Sequence, residues 1–497
     1  NNFKGVGIYG LKGSQIDATN GITNLTFINN GNTAEIVRTV EGKANITGGS
    51  TTAKPGIVVT HVINGETSLA GGATISAVDD LPYTAKNNIG LMAQGIKNPT
   101  APAPFTSWDI GNYEIVNDGT IDFHNSEAST GIYVESARAQ LGASGIIKLG
   151  KGSTGIYGIY RSDSPHYDGG SSSNNKLSVE STANSMMELG QESVGVYLKN
   201  ASTGINLDGK IKSSTDASGN INVTKNVGVY MINENGTQPD QGKVLTGMVN
   251  NAEITLGDGS VGLYSKGKGS AVADRNTVTN NGKITVGKKI TGAPSVGIYS
   301  ENTNLSTGTT SDITVGEDGI AFYGKNSEII ANGTANFNNK GVLAYLEDSK
   351  FVSHLGNISP TQNTMLYLKN STAEMDGIGT KVDMTVADGY TGAYVGGIGS
   401  KLTGVKTIRL GKNSNGVFLK DAVFTSEIEE ITGTQENSKG ILGIDSSLIN
   451  KTKISLSGDN SIAIYSNADS TKLVVNEGNL ILSGKKTLGV FLKGSQS

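Results

Sequence analysis

The 497-residue sequence has no cysteine, one tryptophan, nine prolines and five arginines, and each scarcity narrows what the chain is. Without cysteine there is no disulfide framework, and a chain secreted through a narrow pore stays threadable. No run of 18 apolar residues occurs, so no segment is a candidate membrane-spanning helix. Forty basic and 44 acidic residues leave a net charge of −4, which removes the electrostatic case for nucleic acid. Lysine pairs such as Lys288-Lys289 and Lys485-Lys486 are isolated and read as solvated turns. No stretch sustains helical amphipathicity, and Asn1-Asn2-Phe3-Lys4 carries no signal peptide.

What the chain has is glycine, 69 residues of it, and a phrase that recurs. Gly-aliphatic-aromatic stands at Gly131-Ile132-Tyr133, Gly155-Ile156-Tyr157, Gly195-Val196-Tyr197, Gly228-Val229-Tyr230, Gly262-Leu263-Tyr264, Gly297-Ile298-Tyr299, Gly416-Val417-Phe418 and Gly489-Val490-Phe491. Looser copies are Gly392-Ala393-Tyr394 and Ala463-Ile464-Tyr465. Ahead of the phrase runs an alternating strand ending in glycine, as in Ile254-Thr255-Leu256-Gly257 and Ile408-Arg409-Leu410-Gly411. Period-two alternation marks half-buried strands, and the Gly, Asp, Asn and Ser between the runs are turn residues.

Aromatic positions 299, 323, 345, 367, 394 and 418 are 24, 22, 22, 27 and 24 residues apart, the length of one coil of a parallel β-helix. The longer gaps 157 to 197 and 197 to 230 are coils carrying inserted loops. The fold class is therefore all-β, a parallel β-helix of roughly twenty coils, on the order of 100 Å long at about 4.8 Å per coil. Alternation puts Ile156 and Tyr157 on opposite faces, so one of each such pair lies outside the core. Phenylalanine at 418 and 491 makes the hydroxyl dispensable and the ring mainly packing surface, while an outward ring ladder offers a second use, gripping sugars.

The rhythm fails over residues 50–120, where five prolines (Pro55, Pro82, Pro99, Pro102, Pro104) and Trp108 fall, and a loop or subdomain insertion is expected there. Shorter excursions are expected over 161–175, 233–242 and 301–311. Loops on a rigid scaffold carry binding, so Tyr83, Phe105 and Trp108 are the candidate ligand-binding residues, the alternative being a small core that ties the insertion down. Gly7-Ile8-Tyr9 and Gly489-Val490-Phe491 place both ends inside repeats, as in a segment of a longer chain.

Chemistry is sparse. His61, His124, His166 and His354 sit in unrelated repeats with no second ligand at metal spacing, so no metal site, cofactor or catalytic residue is assigned. Gly257-Asp258-Gly259-Ser260 is the repeat's own turn, and neither a nucleophile elbow nor a calcium roll. Asp79-Asp80 has no basic partner nearby, and Glu427, Glu429 and Glu430 decorate a surface strand.

The phrases Ser193-Val194-Gly195-Val196-Tyr197-Leu198-Lys199-Asn200, Ser414-Asn415-Gly416-Val417-Phe418-Leu419-Lys420 and Met365-Leu366-Tyr367-Leu368-Lys369-Asn370 resemble the passengers of large fusobacterial type V autotransporter adhesins. The resemblance covers most of residues 120–497 and, weakly, the first fifty. It implies a right-handed β-helix spanning 1–497, displayed at the cell surface and anchored to the bacterial outer membrane through a C-terminal translocator barrel absent from this segment. It implies a monomeric, non-enzymatic passenger that attaches the bacterium to host cells or to other bacteria through a glycan or a receptor protein. Alternatives are a β-helix enzyme acting on polysaccharide, a passive stalk, and a trimeric β-roll head, which would repeat near every fourteen residues.

Overall fold

The computed structural model describes residues 5–11, 13–22, 34–79, 84–95, 114–161, 177–202, 204–235, 244–337, 340–355, 364–376, 379–469 and 471–494. These residues form parallel strands and a single 3₁₀ turn, Val272–Asp274, with no helix long and apolar enough to cross a membrane. The strands wind as a parallel β-helix of about 16 turns, fewer than the roughly twenty expected. The chain divides into two compact units, Asn1–Lys283 and Ile284–Ser497.

One coil of the first unit shows the construction. Strands Thr130–Glu135, Arg138–Leu141 and Ile146–Leu149 take the chain along three faces before Thr154–Ile159 begins the next coil. Each strand pairs in parallel with its counterpart one coil on, so Ile132 lies against Ile156, Ala139 against Val179 and Ile147 against Met187. The second unit repeats the plan, with Val296–Glu301, Thr303–Thr307 and Asp312–Val315 leading to Ile320–Lys325. Alternation sends every second side chain inward. Ile132, Ile156, Val196, Val229 and Leu263 form one inward column, each 0% exposed. Burying each such side chain contributes about 1.5–3 kcal/mol.

The glycine of the repeat phrase is dictated by space. A Cβ on Gly195 would lie 2.6 Å from the Gly228 carbonyl oxygen and 2.8 Å from Ile211 Cγ2. Gly155 and Gly228 meet the same obstruction, 2.5 Å from the glycine carbonyl oxygen of the following coil. At this point two consecutive residues, glycine then aliphatic, both turn inward, and the aromatic residue that follows faces out.

The residue two places before that glycine turns the corner, and it is buried. Ser129 N donates to Ser153 Oγ at 3.0 Å, Ser153 N to Ser193 Oγ at 3.0 Å, Ser193 N to Asn226 Oδ1 at 2.9 Å and Asn226 N to Ser260 Oγ at 3.0 Å. A second polar column runs in the other unit, where Ser327 N donates to Ser349 Oγ and Ser349 N to Ser371 Oγ, both at 3.0 Å. These side chains satisfy corner amides that the strand ladders leave unpaired.

Between the first and second faces the usual corner takes two residues, the first in the left-handed region, as at Ser136 (φ 46°), Asn326 (φ 48°), Asp348 (φ 48°) and Asn370 (φ 49°). Asn and Asp tolerate that conformation best among residues with a side chain. In the first unit several coils have far more sequence between these two strands. Residues 95–114, 160–177, 233–247 and 267–275 all run between a first-face strand and a second-face strand.

The break expected over 50–120 is narrower in the structure. Ser50–Ala53, Ile57–Ile63, Glu66–Leu69, Thr74–Ala77 and Ile89–Gln94 all hold coil register, because Pro55 sits in a turn and breaks no ladder. Residues 80–83 and 96–113 lie outside the described residues. Residues 301–311, expected as an excursion, instead carry the second-face strand Thr303–Thr307 and an ordinary turn. The expected loop between 197 and 230 is present as an excursion closed by the antiparallel bridge Thr215–Ile221.

Gly195→Ala lowers the unfolding midpoint, at a cost of about 1–3 kcal/mol from overpacking. Ser153→Ala leaves the buried Ser129 amide without its acceptor and costs about 1–3 kcal/mol, whereas Ser153→Asn, the residue used at 226, costs less. Chemical denaturation of the three variants checks both, and wild-type midpoints throughout would contradict these packing assignments.

Candidate functional site

The outward aromatic residues stack. In the first unit Tyr133, Tyr157, Tyr197, Tyr230 and Tyr264 form one row, with centroid separations of 5.3, 4.8, 5.2 and 4.5 Å and interplanar angles of 4, 6, 10 and 7°. In the second unit Tyr299, Tyr323, Tyr345 and Tyr367 do the same at 4.5, 5.2 and 5.4 Å. The row then tilts, and Phe418 meets Tyr394 edge-on at 68°. Parallel in-register strands about 4.8 Å apart hold like rings at offset-stacking distance. Each ring covers its neighbours' faces, so the row presents edges and hydroxyls rather than open platforms for sugar. Packing is therefore the main use of the rings.

Three of these phenols donate to the glutamate two residues on: Tyr133 to Glu135 at 3.0 Å, Tyr299 to Glu301 at 3.3 Å and Tyr345 to Glu347 at 3.4 Å. Burial, then the neighbouring Tyr157 and Tyr230, pushes the Tyr197 phenol up to about 12. Burial, then the Glu347 charge, pushes Tyr323 up to about 12 as well.

The tyrosine slot continues upstream with other residues. Tyr9, Arg38, His61, Met92 and Tyr133 are consecutive partners in the register of the first face. Here the strand Ile57–Ile63 is buried on both faces, and His61 is 2% exposed. Its Nδ1 lies 2.8 Å from Glu35 Oε1 and its Nε2 2.7 Å from Gln94 Oε1, while Gln94 Nε2 donates to Glu135 at 3.0 Å. A hydrogen-bonded chain thus crosses four coils from Glu35 to Tyr133. Nearby, Glu114 is buried against Arg138, whose guanidinium donates to it at 2.7 Å. Burial pushes the Glu114 carboxyl up, and the arginine opposes that shift.

A cleft of about 540 Å³ opens on the third face of the first unit, lined by Asp122, His124, Lys148, Lys151, Glu188, Gln191, Thr215 and Asn222 among others. Its floor alternates in charge because Asp122, Lys148 and Glu188 are stacked partners on successive coils, a column that Lys212 continues on the next coil. Lys148 lies 3.8 Å from Asp122 and Lys212 3.4 Å from Glu188, and His124 Nδ1 contacts Asp122. Each carboxylate has a lysine partner. Among the described residues no group of three or more His, Cys, Asp or Glu is placed to hold a metal ion.

The candidate residues Tyr83, Phe105 and Trp108, with His166 and Asp80, lie outside the described residues. Glu427, Glu429 and Glu430 are surface residues paired with Lys401, Lys381 and Lys453 of other coils. The Asp122 to Glu188 row and the Glu35–His61 pair escaped sequence inspection because their members stand a coil or more apart. The only signal for them is the repeat register itself.

Tyr197→Ala removes two stacked pairs and costs about 1–3 kcal/mol, whereas Tyr197→Phe costs little. The folded chain holds the Tyr197 and Tyr323 protons more tightly than the unfolded value of 10.0, so their contribution is full below pH 10 and is lost as pH rises toward about 12. Alkaline titration followed by circular dichroism checks this, and Tyr323→Phe shows a shallower loss over that range. Searches of protein-family models, curated proteins and solved structures give no match to the chain.

Proposed function

We propose that the chain is a cell-surface adhesin passenger, a β-helical scaffold whose loops attach a bacterium to host cells or to other bacteria. The observation that carries this is the corner between the first and second faces of the first unit. A corner that takes two residues on most other coils is replaced by the long segments 95–114, 160–177, 233–247 and 267–275 on coils that otherwise keep register. Insertions that leave and rejoin a solenoid at the same corner of successive coils are a usual place for recognition. The ligand on this proposal is a host-cell glycan or receptor protein, or a surface component of a partner bacterium. The passenger sits outside the cell, anchored to the outer membrane by a translocator barrel elsewhere in the full-length protein. It acts as a monomer without cofactor, catalysis or nucleic acid.

The cleft over Asp122, His124, Lys148 and Glu188 favours one second activity, cleavage of polysaccharide, since β-helices that act on sugars place acidic and basic groups on one face. Against it, each carboxylate is matched by a lysine.

Replacing residues 96–113, and separately 162–176, with short Gly-Ser linkers tests the adhesin proposal in a cell-attachment assay. Loss of attachment in either variant is expected, with circular dichroism unchanged. Full attachment by both removes the contact surface from this corner. Release of sugar fragments from a polysaccharide panel, lost in Glu188→Gln, would establish the enzyme instead.

A further inference from the structure

The stacked tyrosines carry a chemistry that neither packing nor adhesion uses. We propose that the row is a site of oxidative tyrosine–tyrosine cross-linking, in which neighbouring coils become joined by dityrosine bonds within one chain.

Four observations converge. Rings from successive coils are already neighbours, as at Tyr230–Tyr264 (4.5 Å, 7°), Tyr157–Tyr197 (4.8 Å, 6°) and Tyr299–Tyr323 (4.5 Å, 5°). A proton acceptor is in place for some of them, since Tyr133, Tyr299 and Tyr345 donate to Glu135, Glu301 and Glu347. The rings lie on the outer, half-buried face, where an oxidant reaches their edges. The chain has no cysteine, so it has no disulfide with which to join its coils.

The reaction balances with a one-electron oxidant of the peroxide-driven class. Each phenol loses one electron to the oxidant and its hydroxyl proton to the adjacent carboxylate or to water. Two neighbouring phenoxyl radicals then form one carbon–carbon bond between ring positions ortho to oxygen. Each of those carbons gives up its hydrogen as a proton when the rings regain aromaticity, and the two phenolic oxygens are reprotonated. The net change is two electrons and two protons lost, matched by reduction of one peroxide to two waters. Forming the bond requires the rings to rotate from face-to-face toward edge-to-edge. The product ties together segments that are 22 to 40 residues apart in sequence, as between Tyr323 and Tyr345 or Tyr157 and Tyr197.

The test uses the full chain at low concentration, oxidised with photogenerated ruthenium(III) and persulfate, then digested and mapped by mass spectrometry. Cross-linked peptides two hydrogens lighter than their sum are expected between row neighbours in one chain, with dityrosine fluorescence to match. Tyr197→Phe is expected to fold, since phenylalanine occupies the same slot at 418. It abolishes the links from 197 to 157 and 230, while the Tyr133–Tyr157 and Tyr230–Tyr264 links persist. Glu135→Gln lowers the Tyr133–Tyr157 yield severalfold if the carboxylate takes the proton. Links dominated by off-row residues such as Tyr160 and Tyr390, links mainly between chains, or no dityrosine in a folded, oxidised sample would each overturn the proposal.

Discussion

The structure depends on one constraint: each coil must lie directly over the next, close enough for parallel strands to bond along three faces. The tightest point is the glycine of the repeat phrase, where the backbone of one coil meets that of the following coil and no Cβ fits between them. With that approach fixed, the aliphatic side chain after the glycine falls into the core column and the aromatic one into the outer row. The buried corner serines follow from the same stacking. A corner amide on one coil has no strand partner, and the side-chain oxygen one coil on is the nearest acceptor.

Stacking also governs electrostatics. Any outward position becomes a column, so a like-charged column would repel itself at roughly 4.8 Å spacing. The third face of the first unit answers by alternating Asp122, Lys148, Glu188 and Lys212. Exposed pairs of this kind contribute little each, about 0–1 kcal/mol. Their use is to keep the register from slipping, since a one-coil offset would set like charges against each other. The buried Glu35, His61, Gln94 and Glu135 network holds the upstream coils differently, through side-chain hydrogen bonds that form together only when four coils are aligned.

The fold was legible because its period is written in glycine and tyrosine, residues with few substitutes at a crowded backbone and a stacked outer slot. The outward direction of the ring was half legible. Alternation separates Ile156 from Tyr157, yet only the doubled inward turn at Gly155 and Ile156 decides which goes inside. Upstream of Tyr133 the slot holds Arg38, His61 and Met92, which no aromatic pattern reveals, and proline density made these coils look irregular. Pro55 lies in a turn and disturbs nothing. The cleft was illegible because Asp122, Lys148 and Glu188 are distant in sequence and become neighbours only once the coil lengths are known.

The direct test of stacking uses the absence of native cysteine. Lys148 and Glu188 are opposed on adjacent strands, about 4.8 Å apart and within disulfide reach. The double variant Lys148→Cys/Glu188→Cys should form an intramolecular disulfide on mild oxidation. Lys148→Cys/Met186→Cys, offset by two residues to roughly 8 Å, should stay reduced. Equal oxidation of the two pairs, or oxidation of the offset pair alone, would contradict coil-over-coil register.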